Sequence, residues 1–299
     1  MRVKSNLPIP WRAILTRGIS FLVLFLLLFN LFLSPPHTTQ AGEYLYIYAL
    51  DVGQSEAILV TTGGKTMLID SGSAVYSAEL FYGLARYGIE RLDMLVLTHP
   101  HEDHIGNARL LLQRLQVDRV LLPPIASDDL AWQLLLQAAG ERTETLYMGD
   151  SFSLGHAFFE VLLTDEPGSN GDLNESSLIL RGVFGEQVFL FMGDAGEKTE
   201  RALLTQYGRD VLDCDYLKVG HHGSGSATTM EFLLATTPAA VSISCGRANS
   251  FGFPHPRVLA DLETLGVHIA RTDLDGTVVF GTDGKELRRI SNEEGGLGQ

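Results

Sequence analysis

The sequence is short of cysteine, with two in 299 residues. Cys214 and Cys245 stand in no Cys-x-x-Cys spacing, which removes a thiolate zinc knot. They are read as unpaired buried thiols rather than as a disulfide. Base is also scarce: Lys and Arg number 22 against 36 Asp and Glu. Four of those bases (Arg2, Lys4, Arg12 and Arg17) fall in the first 41 residues, which hold no acid. Setting these four aside leaves 18 basic against 36 acidic residues, a formal charge of −18 on the remainder. Such a body does not coat nucleic acid non-specifically, because that binding is driven by phosphate neutralisation. No internal repeat is evident. Hydrophobic residues make up 45% of the chain, ample for a core.

Long apolar runs are confined to one place. Residues 19–33, ISFLVLFLLLFNLFL, follow the basic residues, and Ser34-Pro35-Pro36 closes them. Basic-then-apolar order is the layout of an export signal or an N-terminal membrane anchor. The run is short for a span of about 20 residues, and Thr39-Gln40-Ala41 resembles a small-x-small cleavage site only weakly. Cleaved signal and retained anchor both stay open. In either case 1–41 are targeting sequence, and 42–299 form the functional body outside the cytoplasmic membrane.

What is abundant is histidine at one point. Thr98-His99-Pro100-His101-Glu102-Asp103-His104 packs three imidazoles and two carboxylates into six residues. The apolar stretch from Leu92 to Leu97 predicts a strand before it, and the pattern from Ile105 to Leu115 a helix after it. A strand ending in His-x-His projects ligands from its tip. Neutral imidazole with carboxylate suits zinc or another borderline divalent ion. Further strands are predicted at 44–50, 57–61, 66–69, 117–122, 152–163, 178–183, 187–192, 216–219, 239–244, 277–280 and 286–290. Helices are predicted at 76–87, 128–139 (with Leu130, Leu134 and Leu135 on one face), 197–207 and 256–265. This alternation is α/β.

The run H-x-H-x-D-H resembles the signature of the metallo-β-lactamase fold. The likeness covers most of the chain. Asp51-Val52-Gly53-Gln54-Ser55-Glu56-Ala57 resembles the D-V-G-Q-G-D-A opening of the ComEC competence-protein hydrolase domain, departing at Ser55 and Glu56. Asn174-Glu175-Ser176-Ser177-Leu178 resembles its N-x-x-S-L. Lys218 to Ser224 matches K-x-x-H-H-G-S, and Asn249 to Pro256 resembles N-x-Y-G-H-P-H-P with Phe251 and Phe253 in place of Tyr and His. Arg271-Thr272-Asp273 opens the closing R-T-D run.

The resemblance implies a four-layer αββα sandwich holding one or two divalent ions, Zn2+ foremost and Mn2+ second. His99 and His101 would hold the first, with Asp103, His104, Asp194 and His222 at the second. No histidine near residue 174 completes the first site as it does in many dinuclear members. Asp70, Asn174 and Ser177 would stand behind the ligands. His222 is read as ligand and His221 as facing substrate phosphate, with the reverse assignment open. His255 would touch the substrate phosphate or the leaving group. Asp103, His221 and His255 are thus the catalytic candidates.

The implied activity is metal-dependent hydrolysis, of a phosphodiester first, with single-stranded DNA as the substrate ComEC proteins imply. Two alternatives remain: a phosphorylcholine-esterase-like hydrolase of cell-envelope phosphoesters, and a metal-binding module without turnover in a DNA-uptake or envelope complex. Lys218, Arg247, Arg257 and Arg271 are scattered candidates for a basic groove.

Overall fold

In the computed structural model, residues 43–164 and 172–291 are described, and they lie within one compact unit. The N-terminal targeting segment predicted at 1–41 lies outside them. No helix among the described residues is long and apolar enough to cross a membrane.

Two mixed sheets carry the fold. The first has eight strands: β1 (Leu45–Ala49), β2 (Ile58–Thr62), β3 (Lys65–Ile69), β4 (Arg91–Val96), β5 (Gln116–Leu122), β6 (Thr143–Thr145), β14 (Val278–Thr282) and β15 (Leu287–Ile290). Their spatial order is β15-β14-β1-β2-β3-β4-β5-β6. The second sheet has seven: β7 (Ser151–Leu154), β8 (Ala157–Leu163), β9 (Ile179–Phe184), β10 (Gln187–Phe191), β11 (Tyr216–Lys218), β12 (Ala240–Ile243) and β13 (His268–Arg271), ordered β13-β12-β11-β10-β9-β8-β7. β3 to β6 pair in parallel, as do β10 to β13.

The central strands alternate sides with period two, and both sides are apolar. Ile58 and Val60 of β2, Met67 and Ile69 of β3, and Met94 and Val96 of β4 point into a layer shared with Phe159, Phe189, Phe191 and Tyr216 of the second sheet. Leu59, Leu68 and Leu95 point the other way. There they meet α1 (Ser77–Arg86), α3 (Ala108–Arg114) and α4 (Leu130–Ala139), through Leu80, Leu84, Leu111 and Trp132. On the far face of the second sheet, Leu190, Leu217 and Val241 pack against α5 (Glu197–Gln206), α7 (Met230–Thr236) and α8 (Pro256–Thr264) through Leu203, Phe232 and Val258. Three apolar layers separate four structural ones, the αββα sandwich expected.

Two helical expectations change. The single helix at 105–115 is split into α2 (Glu102–Ile105) and α3. At the break, a side chain on Gly106 would meet the Ala74 amide nitrogen at 2.4 Å. Asn107 Nδ2 donates to the carbonyls of Ser71 and Ser73, at 3.0 and 2.7 Å, and pins the chain there. On α4, Trp132, Leu135 and Ala139 are the buried residues, while Leu130 is 68% exposed. Asp129 caps this helix by accepting from the Trp132 amide, which sets its phase. Helix α7 was not predicted; Thr229 caps it by accepting from the Phe232 amide. Short helices α6 (Arg209–Leu212) and α9 (Thr272–Asp275) complete the set. Cys214 and Cys245 are both buried and unpaired.

Candidate metal centre

The loops after β3, β4, β10, β11 and β12 leave the carboxyl ends of strands that pair in parallel, where open α/β sheets build their sites. β3 is followed by Asp70, which is fully buried in a left-handed conformation (φ 59°). The Thr98 amide donates to Asp70 Oδ1 and the Thr98 hydroxyl to Oδ2, each at 2.8 Å. His104 Nδ1 sits 2.7 Å from the same Oδ2. With Nδ1 engaged there, the His104 ring presents Nε2 away from the loop.

Nε2 of His104 faces Asp194 Oδ1 at 3.2 Å. Asp194 follows β10 after Gly193, a left-handed glycine whose substituted form would press on Ser177 Oγ and Thr98 Cβ at 3.0 and 3.1 Å. The Asp194 amide donates to Ser177 Oγ at 3.1 Å. From β11 come His221 and His222, consecutive non-glycine residues both at positive φ, 48° and 53°. Such backbone is uncommon and collects at functional sites. His222 Nδ1 donates to the Ser244 carbonyl at 2.9 Å, the same device as at His104. Its Nε2 then lies 3.4 Å from Asp103 Oδ2 and 3.5 Å from Asp194 Oδ1.

Asp103, His104, Asp194 and His222 each offer an atom within 4.8 Å of the others. His104 Nε2, Asp194 Oδ1 and His222 Nε2 are buried and have no hydrogen-bond partner. Buried polar atoms are normally satisfied. Three orphans converging on one point, two imidazole nitrogens and a carboxylate oxygen, fit a divalent cation.

The charges are arranged accordingly. Burial disfavours charge on both His104 and His222, yet each is raised above the usual histidine value, chiefly by Asp194. Burial would raise Asp103, but His222, 3.4 Å away, and the His104 charge hold it down at about 2. Asp194 is likewise carried well below the carboxylate range, against its burial, by His104 and His222.

His99 and His101 lie beside this cluster rather than in it. Their Nε2 and Nδ1 atoms are 3.0 Å apart, and His99 Nδ1 is 3.0 Å from Thr98 Oγ1 and 3.4 Å from Ser177 Oγ. Burial pushes the His99 pKa well down, keeping the ring neutral. Among the described residues, neither joins a group of three or more His, Cys, Asp or Glu of metal-holding geometry. The Asn174 carbonyl accepts from the Ser177 amide at 3.1 Å, and the Asn174 Oδ1 is buried without a partner. His221 is a quarter exposed, with Nε2 3.9 Å from Asp194 Oδ2. His255 is exposed at the head of α8: its ring Nδ1 accepts from the Arg257 amide, and its own amide donates to the Gly223 carbonyl at 2.8 Å.

Glu56 and Lys218 contribute in a way sequence reasoning did not see. Lys218 is fully buried and paired with Glu56, itself 1% exposed. The Glu56 amide donates to the Asp103 carbonyl at 3.1 Å, and Lys218 Nζ donates to the Val219 carbonyl at 2.7 Å. The pair therefore joins α2, which bears Asp103, to the turn after β11, which bears His221 and His222. Lys218 is not a groove cation. Arg271 pairs with Asp273, Arg257 with Asp261, and Arg247 donates to the Asp273 carbonyl. Thr98 and Ser244 were also passed over as ligand supports. Thr98 adjoins the histidine run, but nothing marks Ser244, whose backbone carbonyl does the work.

Residues 50–246 match the family model described as the Metallo-beta-lactamase superfamily. The chain is 30% identical over 286 residues to ComE operon protein 3 of Bacillus subtilis (strain 168), covering 89% of this chain and 35% of that protein. It is 31% identical over 232 residues to Competence protein ComA of Neisseria gonorrhoeae, covering 77% and 31%. The chain thus spans about a third of the length of these curated relatives. Among solved structures, the metallo-beta-lactamase fold protein YhfI from Bacillus subtilis superposes with a TM-score of 0.54 at 12% identity, over 80% of this chain and 100% of that one.

Proposed function

Since the chain belongs to the metallo-β-lactamase superfamily, whose fold is that of metal-dependent hydrolases, we propose that it is a phosphodiesterase acting on a nucleic-acid strand. The observation that carries this reading is the convergence of His104 Nε2, Asp194 Oδ1 and His222 Nε2 beside Asp103, all three atoms buried and without partners. Asp103, His104, Asp194 and His222 would hold one cation, zinc by the balance of nitrogen and oxygen donors, with manganese the second choice. When bound by these residues, a divalent ion would supply Lewis acidity and make water acidic enough to attack near neutral pH.

The protein's own groups do the rest. Asp70 and the Ser244 carbonyl fix the two ligand rings in one tautomer. His221 reaches the edge of the cluster from the solvent side, and burial lowers its pKa. It is therefore available as a neutral imidazole to donate a hydrogen bond to a substrate phosphate or to accept a proton from the attacking water. His255, at the head of α8, is tied to the loop of His221 by its amide bond to the Gly223 carbonyl and would contact a substrate phosphate from outside.

The names of the relatives support a DNA strand as substrate: beside ComE operon protein 3 stand Competence protein ComA and, 30% identical over 235 residues, Recombination protein 2 of Haemophilus influenzae. One observation favours a second reading, a smaller cell-envelope phosphoester. Lys218, Arg257 and Arg271 are spent on internal ion pairs and the body is acidic, so little positive surface is offered to a polyanion. The deciding experiment is turnover by the metal-loaded protein on single-stranded DNA, a bis-aryl phosphodiester and a β-lactam. Cleavage of the first two and not the third is expected. Cleavage of the aryl ester alone moves the reading to the envelope phosphoester. Cleavage of none leaves a metal-binding module.

A further inference from the structure

We propose that Phe251 and Phe253 form a stacking platform that seats a base of a single-stranded substrate next to the phosphodiester being cut. The inference rests on the phosphodiesterase reading and adds to it how the strand is gripped.

The two rings lie 5.5 Å apart and 21° from parallel, and Phe251 is 66% exposed. Phe253 meets the His221 ring edge-on at 5.8 Å. His221 in turn reaches Asp194. A continuous row of rings therefore runs from the cation site out to solvent.

The loop that carries the row is braced. Asn249 Oδ1 accepts from the Phe253 amide at 3.0 Å, and Asn249 Nδ2 donates to the Gly246 and Phe253 carbonyls at 2.9 and 2.6 Å. The backbone on both sides of Phe251 is thus fixed before any ligand arrives, and its ring rests on that of Phe253, so binding orders little.

The occupant must be flat and apolar on its face, and must carry an anionic ester that reaches the cation site. A nucleotide in a single strand has both, because its base is unstacked and its phosphate adjoins the sugar. Base-on-aromatic stacking tolerates any sequence, since every base has a π-face. It also needs no cation, which suits an acidic body that cannot rely on phosphate neutralisation. A protein partner suits the platform less well. Two phenyl groups offer roughly 300–500 Å², short of the about 600 Å² per partner of a stable interface.

The test compares the metal-loaded full chain with Phe251→Ala, Phe251→Leu and Phe251→Tyr on an oligothymidylate and on the same strand with abasic sugars flanking the cut. Phe251→Ala should lower kcat/KM on the oligothymidylate about 10-fold and leave the abasic strand unaffected. Phe251→Tyr should restore the rate and Phe251→Leu should not, because the ring and not its bulk is required. Independently of turnover, 2-aminopurine at the flanking position should be quenched on binding wild type and not Phe251→Ala. Equal loss on both strands, or no loss on either, overturns the platform and leaves the phosphodiesterase reading standing. A wild-type protein that cleaves no phosphodiester removes that reading and the platform with it. A dimer by sedimentation that Phe251→Ala dissociates would assign the rings to a second copy of this chain instead.

Discussion

At Asp70 one carboxylate accepts from the Thr98 amide and hydroxyl and meets His104 Nδ1 as well. The last contact decides which nitrogen His104 turns toward Asp194. Asp70→Ala leaves the Nε2 donor present but unoriented. Its expected effect is a loss of metal affinity of about 10- to 100-fold, the range for groups that orient a ligand, with zinc titration against a chelating dye as the measurement. Asp103 acts more directly. Asp103→Asn keeps the volume, but it removes the charge facing His222 and puts a poorer donor in the cluster. Its loss of turnover should exceed that of His255→Ala. His255 is worth about 10²- to 10⁴-fold if it handles a proton, and little if it only caps α8. Both variants are compared on a bis-aryl phosphodiester, with metal content and circular dichroism checked. A folded Asp103→Asn turning over at the wild-type rate would remove Asp103 from the site.

Elements meet at the centre through a charge pair. Glu56, in the loop between β1 and β2, reaches Lys218 at the end of β11, so the two sheets are tied beneath the ligands. Burial raises the Glu56 pKa, and Lys218 is the main opposing influence. Removing one partner strands the other without water. Lys218→Met should cost about 3–5 kcal/mol in urea unfolding, and Glu56→Gln with Lys218→Met should recover most of it. Equal stability of the single and double variants would show that the pair is not coupled.

This pair also shows what the sequence leaves unwritten. The strands were legible because they are short, continuous apolar runs, buried on both faces. The histidine run was legible because its ligands are adjacent. Lys218 looked like a surface cation because its partner lies in a distant loop. The break at Gly106-Asn107 depends on carbonyls of Ser71 and Ser73 that only the folded chain brings near. The row of rings from His221 to Phe251 was invisible too, although the replacement of Tyr and His by phenylalanine was its trace in the sequence.

Over the whole molecule, charge and metal act together. The acid-free, basic-then-apolar N-terminus leads us to propose that the body works outside the cytoplasmic membrane. A reporter enzyme fused after residue 41 should be active only in its exported form, and cytoplasmic activity alone would contradict this. The cation should also govern how stability depends on pH. Without metal, His104 and His222 have pKa values raised by Asp194. Their protonation stabilises the fold fully below the unfolded histidine value of about 6.5, and that contribution is lost as pH rises through the raised folded values. A bound cation needs both rings neutral, so protons compete with it and its stabilising effect grows as they leave. His99, neutral in either state and outside the cluster, cancels from the comparison. The melting temperature gained on adding zinc should therefore be small near pH 5.5 and increase steadily to pH 8, with close to one zinc per chain by elemental analysis. A gain independent of pH, or no stoichiometric metal after reconstitution, would mean that His104 and His222 do not share a cation.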